Sequence, residues 1–299
     1  MTTETTPLAP GVWGILATPF SGSDQALDLT SFARQIELYQ RIGAKGVVAL
    51  GVFGEAVKLD AAEQRAVIDA SAEAASDLPV VVGLTTRSTA PAIEQAEAAR
   101  AGLGDQLAGL MVQVSSPDPA VVTEHFHAIH DATGAGIVIQ DYPLISSVHI
   151  GNDAMLEVIE ACPFTAAVKA EAPPTPPAIA ALTARCDAPV FGGLGGVGLI
   201  DELAAGAAGA MTGFSHPEGL IAAVEAYQQG GFDAAYEAFR PWLPLANFEG
   251  QAGIGLATRK EILRARGIID DAGIRQPGRT FPESLRPILK QHLAALEQD

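Results

Sequence analysis

Short apolar runs alternate with longer amphipathic segments along most of this 299-residue chain. Each run leads into a turn rich in Gly, Ser or Thr, and then into an Ala-rich segment with helical periodicity. Apolar runs joined by helical crossovers indicate parallel strands that are buried on both faces. The predicted strands lie within 11–20, 46–51, 79–85, 108–114, 136–143, 165–171, 188–196 and 208–215.

Eight such strand–helix units predict a (β/α)8 TIM barrel, a fold of usually ~250 residues. An open, doubly wound sheet is the alternative that the pattern leaves. We predict the barrel at 1–229 and a C-terminal helical extension at 230–299 that packs on it as a single structural unit. The helical segments expected near the C-terminus are 217–229, 232–246, 250–266 and 283–297.

Composition excludes several classes of function. The 35 acidic and 18 basic residues give a net charge of −17, which argues against nucleic acid and anionic lipid as partners. Two cysteines, Cys162 and Cys186, are too few for a disulfide framework and are predicted to be buried thiols. The first ten residues lack the pattern of a signal peptide, and no apolar stretch has membrane-spanning length. We therefore expect a cytoplasmic protein.

One predicted strand, "TAAVKAE" at 165–171, contains a lysine. Burial among strands disfavours the charged form of an amine, which makes Lys169 a candidate nucleophile. Because strand side chains alternate, Lys169 and Glu171 share a face. The spacing alone also allows a purely structural lysine paired with Glu171. The other four lysines, which lie outside the apolar runs and are expected to be solvated, are Lys45, Lys58, Lys260 and Lys290.

Other motifs give weaker signals. The "GGLGG" stretch at 192–196 lacks both nucleotide-binding spacings, so we predict only close approach of substrate to its backbone. His216 follows the eighth strand and is either a substrate contact or a solvated loop residue. His125, His127 and His130 lie on a predicted helix without an acidic cluster, so no metal site is expected. We expect no cofactor.

Several motifs occur in an order that resembles the dihydrodipicolinate synthase and N-acetylneuraminate lyase family of class I aldolases. They are "GVWGILATPF", a "GxxGE" turn followed by "KL", a strand ending in lysine, a Gly-rich seventh strand, and "RKEILRARG" followed by "RQP". The resemblance covers about 11–297. It implies a homotetramer built from dimers, and it implies that Lys169 forms a Schiff base with a 2-keto acid.

The chain departs from the family pattern where the family carries hydroxyl groups. The usual "GTTGE" turn reads Gly51-Val52-Phe53-Gly54-Glu55, so both threonines are lost. Gln140 occupies the place of the relay tyrosine, and Ser115 and Ser116 stand where another tyrosine is often found. A typical dihydrodipicolinate synthase or sialic acid lyase is therefore not expected.

Imine chemistry needs an acid or base beside the imine, and the sequence offers two. Glu171 shares the face of Lys169, and Tyr142 shares that of Gln140. The predicted catalytic residues are therefore Lys169, Glu171, Tyr142 and Gln140. The predicted substrate-binding residues are Gly51, Val52, Phe53, Gly54, Gly192, Gly193 and Leu194.

The sequence predicts a Schiff-base lyase, an aldolase or a dehydratase, that acts on a 2-keto acid, including sugar-derived ones. A barrel that binds a keto acid without turnover, as a sensor or inactive paralogue, is the alternative from another class. A phosphate-binding barrel enzyme is disfavoured, since it would need a basic cluster after the last two strands.

Overall fold

Eight parallel strands close into a barrel in the computed structural model, which describes residues 5–296. Strands that follow one another in the chain are neighbours in space, and the last strand pairs with the first. The predicted TIM barrel is confirmed, and the open-sheet alternative is wrong. The strands are β1 Gly11–Ile15, β2 Gly46–Ala49, β3 Val80–Gly83, β4 Leu107–Gln113, β5 Ile137–Asp141, β6 Thr165–Ala170, β7 Val190–Gly192 and β8 Gly209–Thr212.

Helices connect the strands and surround the barrel. Several begin at side-chain caps: Asp28 accepts a hydrogen bond from the amide of Ser31, and Asp60 forms a capping box with Glu63. A small hairpin, Phe20–Ser21 with Ala26–Leu27, follows β1. The helices before the C-terminal region are α1 Leu29–Arg41, α2 Ala61–Ala75, α3 Thr89–Leu103, α4 Pro119–Thr133, α5 Pro143–Ser146, α6 Asn152–Ala161, α7 Thr175–Thr183 and α8 Leu199–Ala204.

The strands bury both of their faces. One face packs against the surrounding helices, and the other fills the barrel interior with a separate apolar cluster. Gln140 on β5 is paired in register with Lys169 on β6, so their side chains leave the sheet on the same face. The interior cluster includes Trp13, Ile15, Val48, Val81, Met111, Val138, Ala167, Phe191 and Met211.

Four helices form the C-terminal region: α9 Pro217–Phe239, α10 Leu243–Glu249, α11 Gly255–Ala265 and α12 Arg286–Leu296. Non-helical backbone at Gly231 divides α9. The predicted helix 232–246 is wrong as a single helix, because Pro241, which lacks an amide hydrogen, separates α9 from α10. The division into 1–229 and 230–299 stays a prediction. Residues 1–4 and 297–299 of these two ranges lie outside the described residues, and so does the predicted helix end at 297.

Lys260 on α11 corrects one expectation. It was predicted to be solvated, yet its side chain is completely buried and pairs with Glu55. Its amine also donates to the carbonyl oxygens of Thr18 and Gly273. Helical position alone does not show which face of a helix packs against a barrel, and here the basic side chain lies on the packed face.

Among residues 5–296, no helix is both long and apolar enough to cross a membrane.

Candidate active site

A cavity of about 730 Å³ opens at the carboxyl ends of the barrel strands. Parallel strands bring all of their carboxyl ends to one rim, so side chains from distant parts of the chain meet there. The four predicted catalytic residues, Lys169, Glu171, Tyr142 and Gln140, all line this cavity. Its far wall comes from the C-terminal region, between Glu249 and Arg259.

Lys169 and Glu171 form a buried ion pair in this cavity. Nζ of Lys169 lies 3.1 Å from Oε2 of Glu171, and the two side chains are only 7% and 5% exposed. The amide of Glu171 donates to the carbonyl of Asp141 at 2.9 Å, which continues the pairing of β5 with β6 beyond the last strand residue. The attraction between amine and carboxylate offsets part of the cost of burying both charges.

The carboxylate of Glu171 is held by Gln140 of β5 and by the backbone that follows β7. Nε2 of Gln140 donates to its Oε2 at 2.8 Å, and the amide of Leu194 approaches its Oε1 at 3.4 Å. Gly193 leaves the space that the carboxylate needs, because a Cβ there would lie 2.5 Å from Oε1. Gln140 therefore orients Glu171 beside the amine of Lys169.

Tyr142 contributes a neutral phenol to the cavity. Burial raises its pKa above the ordinary value of 10.0, the nearby Glu171 raises it further, and Arg259 lowers it. The hydroxyl is thus protonated at neutral pH, and it is available to donate a hydrogen bond.

The turn after β2 presents two apolar side chains, Val52 and Phe53, to the cavity. Its other amides bond within the turn, from Gly54 to the carbonyl of Gly51 and from Glu55 to that of Val52. Leu194 also lines the cavity. The cavity-lining residues of the described chain do not include Gly51, Gly54, Gly192 or Gly193, and Gly192 packs against Glu202. The binding roles predicted for these seven residues remain predictions.

Glu202 is a buried carboxyl group outside the cavity lining. Its Oε1 accepts a hydrogen bond from Thr175 at 2.7 Å, whereas its Oε2 has no partner among residues 5–296. Burial raises its pKa to about 7. It packs behind Gly192 of β7. The sequence prediction did not include it, because it lies on helix α8 and only residues near strand ends were considered.

Two further charged residues among those that line the cavity, Glu249 and Arg259, were not predicted from the sequence. Nε of Arg259 lies 3.0 Å from Oε2 of the buried Glu249, and the guanidinium lies 4.6 Å above the ring of Phe53. Ser215 also hydrogen-bonds to Glu249. Both residues lie on helices that follow the eighth strand in the chain, whereas the sequence prediction considered only residues near the ends of strands.

The histidines lie outside the cavity lining. His216 accepts or donates a hydrogen bond with Ser215 and packs against Trp242, and burial lowers its pKa to about 3. His127 and His130 bond to backbone carbonyls, and both pack against Phe164. Over residues 5–296, no group of three or more His, Cys, Asp or Glu side chains is arranged to hold a metal ion.

Comparison with known proteins places this geometry in a family. The sequence model of the dihydrodipicolinate synthetase family matches residues 9–296. L-2-keto-3-deoxyarabonate dehydratase of Azospirillum brasilense is 29% identical over 308 residues, which cover 99% of this chain and 96% of that protein. The 4-hydroxy-tetrahydrodipicolinate synthase of Methanococcoides burtonii is 35% identical over 150 residues, 50% of this chain and 49% of that protein.

Solved structures of proteins from this family have the same fold. Dihydrodipicolinate synthase from Rhodopseudomonas palustris superposes with a TM-score of 0.89 at 31% identity, over 97% of this chain and 98% of that one. YagE, an E. coli K12 prophage protein of the dihydrodipicolinic acid synthase family in complex with pyruvate, shares the fold, with a TM-score of 0.85 at 18% identity, over 96% and 98% of the two chains. The family match covers nearly the whole chain and confirms the prediction of a Schiff-base lyase. The chain belongs to the dihydrodipicolinate synthetase family.

Proposed function

We propose that this protein is a dehydratase that removes water from a sugar-derived 2-keto-3-deoxy acid through an imine on Lys169. The observation that carries the proposal is the contact between Lys169 and Glu171, which places a nucleophilic amine and a carboxylate 3.1 Å apart inside the cavity. A general base must lie within about 3 Å of the group that it serves, directly or through one water.

The proposed reaction begins when the amine of Lys169, in its neutral form, adds to the C2 ketone. The ketone oxygen leaves as water with one proton taken up from solvent, which gives an iminium ion; the final hydrolysis returns that proton. Glu171 then takes a proton from C3, and the electron pair forms an enamine. The enamine expels the C4 hydroxyl group, which leaves as water with the proton that Glu171 returns. Hydrolysis of the unsaturated iminium frees Lys169 and releases a keto acid with a C3=C4 double bond. The net change is the loss of one water.

The choice of dehydration rests on two supports. The Azospirillum dehydratase is 29% identical over 99% of this chain, so a dehydratase is among the relatives that match its full length. The cavity also lacks the hydroxyl groups expected for the synthase, since Val52, Phe53 and Gln140 stand at those positions. Dehydration needs one carboxylate that first accepts and then returns a proton, a role that suits Glu171.

A panel of 2-keto-3-deoxy pentonates and hexonates tests this function. We expect turnover of at least one member to a product lighter by one water, detected by mass spectrometry. Cleavage to pyruvate and an aldehyde would show an aldolase instead. Binding without any product would support the keto-acid-binding alternative. The homotetrameric assembly and the cytoplasmic location expected from the sequence stay predictions.

A further inference from the structure

The proposed dehydration breaks the bond between C4 and its hydroxyl oxygen, O4. Hydroxide is a poor leaving group, so negative charge develops on O4 as this bond lengthens. Hydrogen-bond donors that are already fixed beside such an oxygen stabilise the charge more than water does. Glu171 returns the proton that leaves with O4, but this one carboxyl group contacts the oxygen at a single point. Further donors beside Glu171 would therefore assist the reaction.

The topology of the barrel indicates where the two halves of the substrate lie. In the turn after β2, the amides of Val52 and Phe53 have no backbone acceptor within residues 5–296, so they are free to bind the C1 carboxylate. β2 and β6 lie on opposite sides of the closed barrel, and β6 carries Lys169 and leads to Glu171. A keto acid that reaches from the turn to the amine of Lys169 therefore has C3 and C4 on the side of β5, β6 and β7.

Tyr142 brings a free phenol to that side of the cavity. It lies between β5 and α5, and the amides of Ile145 and Ser146 donate to its carbonyl oxygen at 3.0 and 2.9 Å. It lines the cavity, and its hydroxyl group makes no hydrogen bond to another of the described residues 5–296. The charges of Glu171 and Arg259 both act on the pKa of Tyr142, so both groups lie near the phenol.

Arg259 contributes a guanidinium group whose orientation is fixed. Its side chain is only 12% exposed, and Nε lies 3.0 Å from the buried carboxylate of Glu249. The ring of Phe53 covers one face of the group, with the ring centre 4.6 Å from the central carbon. Among residues 5–296, Nη1 and Nη2 donate no hydrogen bond to a protein acceptor. The edge formed by these two nitrogens is therefore held in place but has no partner there.

The free edge of Arg259 lies close to the region where Glu171 acts. A Cβ on Gly195 would lie 3.2 Å from Nη2, and Gly195 lines the cavity just after β7. The residue before it, Leu194, directs its amide to Oε1 of Glu171 at 3.4 Å. Tyr142 on the β5 side and Arg259 on the β7 side thus border the place where C3 and C4 are expected. A charged donor such as a guanidinium forms stronger hydrogen bonds to a developing anion than a neutral donor does.

We infer that Tyr142 and Arg259 bind the C4 hydroxyl group of the keto acid and stabilise its departure after Glu171 has removed a proton from C3. The enamine breaks the C4–O4 bond and Glu171 returns its proton to O4. The two donors keep their own protons, so the net change is still the loss of one water. The inference rests on the proposed function, since it concerns the same reaction. It goes further in assigning a site for the leaving group.

The test uses two probes that differ only at C4. 2-Keto-3-deoxypentonate carries the hydroxyl group, and 5-hydroxy-2-oxopentanoate is the same chain without it. If only a hexonate is turned over, that acid and its 4-deoxy analogue take their place. Loss of water from the first probe measures departure of the hydroxyl group. Exchange of the C3 protons of the second probe for deuterium, followed by NMR, measures imine formation and proton transfer by Glu171 alone.

For Tyr142→Phe we expect kcat for loss of water to fall at least about tenfold, as for the loss of one hydrogen bond. For Arg259→Gln we expect a fall of about 10²-fold or more, in the range for removal of a donor to a developing oxyanion. Exchange at C3 should stay near the wild-type rate in both variants. If Arg259→Gln does not fold because Glu249 is left buried without its cation, the double variant Glu249→Gln/Arg259→Gln carries the same expectation.

Tyr236→Phe and Arg264→Gln are the matched controls, because they remove the same groups outside the cavity. Tyr236 is 46% exposed and packs against Phe232 on α9. Arg264 is on the same helix as Arg259, is 44% exposed and pairs with Glu261. Neither Tyr236 nor Arg264 lines the cavity, so both control variants should match the wild type in both assays.

Two results would overturn the inference and leave the proposed function standing. Loss of water at the wild-type rate in either Tyr142→Phe or Arg259→Gln would show that O4 is bound elsewhere. Equal decreases in loss of water and in C3 exchange would show that the residue acts at the imine or supports the fold. If the wild-type protein exchanges C3 protons but removes water from no acid of the panel, the proposed dehydratase fails as well. If it does neither, the imine chemistry fails.

Discussion

Nζ of Lys260 on α11 lies 2.5 Å from Oε1 of Glu55 in the turn after β2, and neither side chain is more than 1% exposed. Oε2 of Glu55 accepts further hydrogen bonds from Lys58 at 2.9 Å and from the amide of Arg275 at 3.1 Å. One carboxylate therefore joins the turn that borders the cavity to α11, the helix that carries Arg259. The ion pair thus connects the GxxGE turn, which contains Glu55, with the RKEILRARG segment, which contains Lys260.

We expect Lys260→Met to lower the free energy of unfolding by about 3 kcal/mol, because the buried Glu55 loses its buried cation and keeps only Lys58, which is 21% exposed. Glu55→Gln should cost a similar amount. The double variant should lose less than the sum of the two, since the buried Lys260–Glu55 pair is then removed as a whole and only the part-exposed Lys58 loses a partner. Urea unfolding of the four proteins measures these differences. Losses below about 1 kcal/mol, typical of exposed pairs, would contradict this account of the pair.

Glu171 is expected to be the acid and base of the reaction. Glu171→Gln keeps the size of the side chain but removes its capacity to accept a proton, so turnover should fall by about 10²-fold or more. The fold and the pyruvate adduct on Lys169 should persist. Steady-state kinetics and trapping measure the two effects. Normal turnover in a destabilised variant would show that Glu171 is only a structural partner of Lys169.

Gly193→Ala provides an independent check on the position of Glu171. The new Cβ would lie 2.5 Å from Oε1 and displace the carboxylate without changing its chemistry. We expect turnover to fall in this variant too, while a matched Gly151→Ala change, at a site with no atom within 4 Å of the new Cβ, leaves it unaffected. Equal turnover in the two variants would mean that the placement of Glu171 does not limit the reaction.

Glu202 should make stability depend on pH. Its pKa is raised from the ordinary value of 4.5 to about 7, so between these values the unfolded state releases a proton that the folded state keeps. Stability is therefore lost as the pH rises through this window, by up to about 2–3 kcal/mol. Glu202→Gln should remove this loss, and the exposed Glu160→Gln should not. Urea unfolding of the three proteins at pH 4.5, 6 and 8 measures this loss. If the free energy of unfolding changed with pH in the same way in wild type and in Glu202→Gln, the role of Glu202 would be contradicted.

The strands and Lys169 could be predicted from the sequence because both depend on local pattern. A run of apolar residues interrupted by one lysine places that amine in the sheet, and strand alternation places Glu171 beside it. Arg259 could not be found in this way. Its approach to the cavity depends on how the C-terminal helices fold back over the rim, which helical periodicity does not encode. Arg259 and Lys260 are adjacent in the chain, yet Lys260 is buried against Glu55 whereas Arg259 lines the cavity.

The central claim is that Lys169 is the imine-forming residue, and Lys260 provides its strictest internal control. Both amines are buried, and burial lowers the pKa of Lys260. Only Lys169 lines the cavity, whereas Lys260 is enclosed by Glu55 and two carbonyl groups. Burial alone therefore does not distinguish them, but access to substrate does.

The direct measurement is reduction with borohydride in the presence of pyruvate or a 2-keto-3-deoxy acid, followed by peptide mapping with mass spectrometry. We predict a single adduct on the peptide that carries Lys169, none on those carrying Lys45, Lys58, Lys260 or Lys290, and no adduct in a folded Lys169→Ala variant. An adduct on Lys260, or none with any keto acid of a broad panel, would contradict the account.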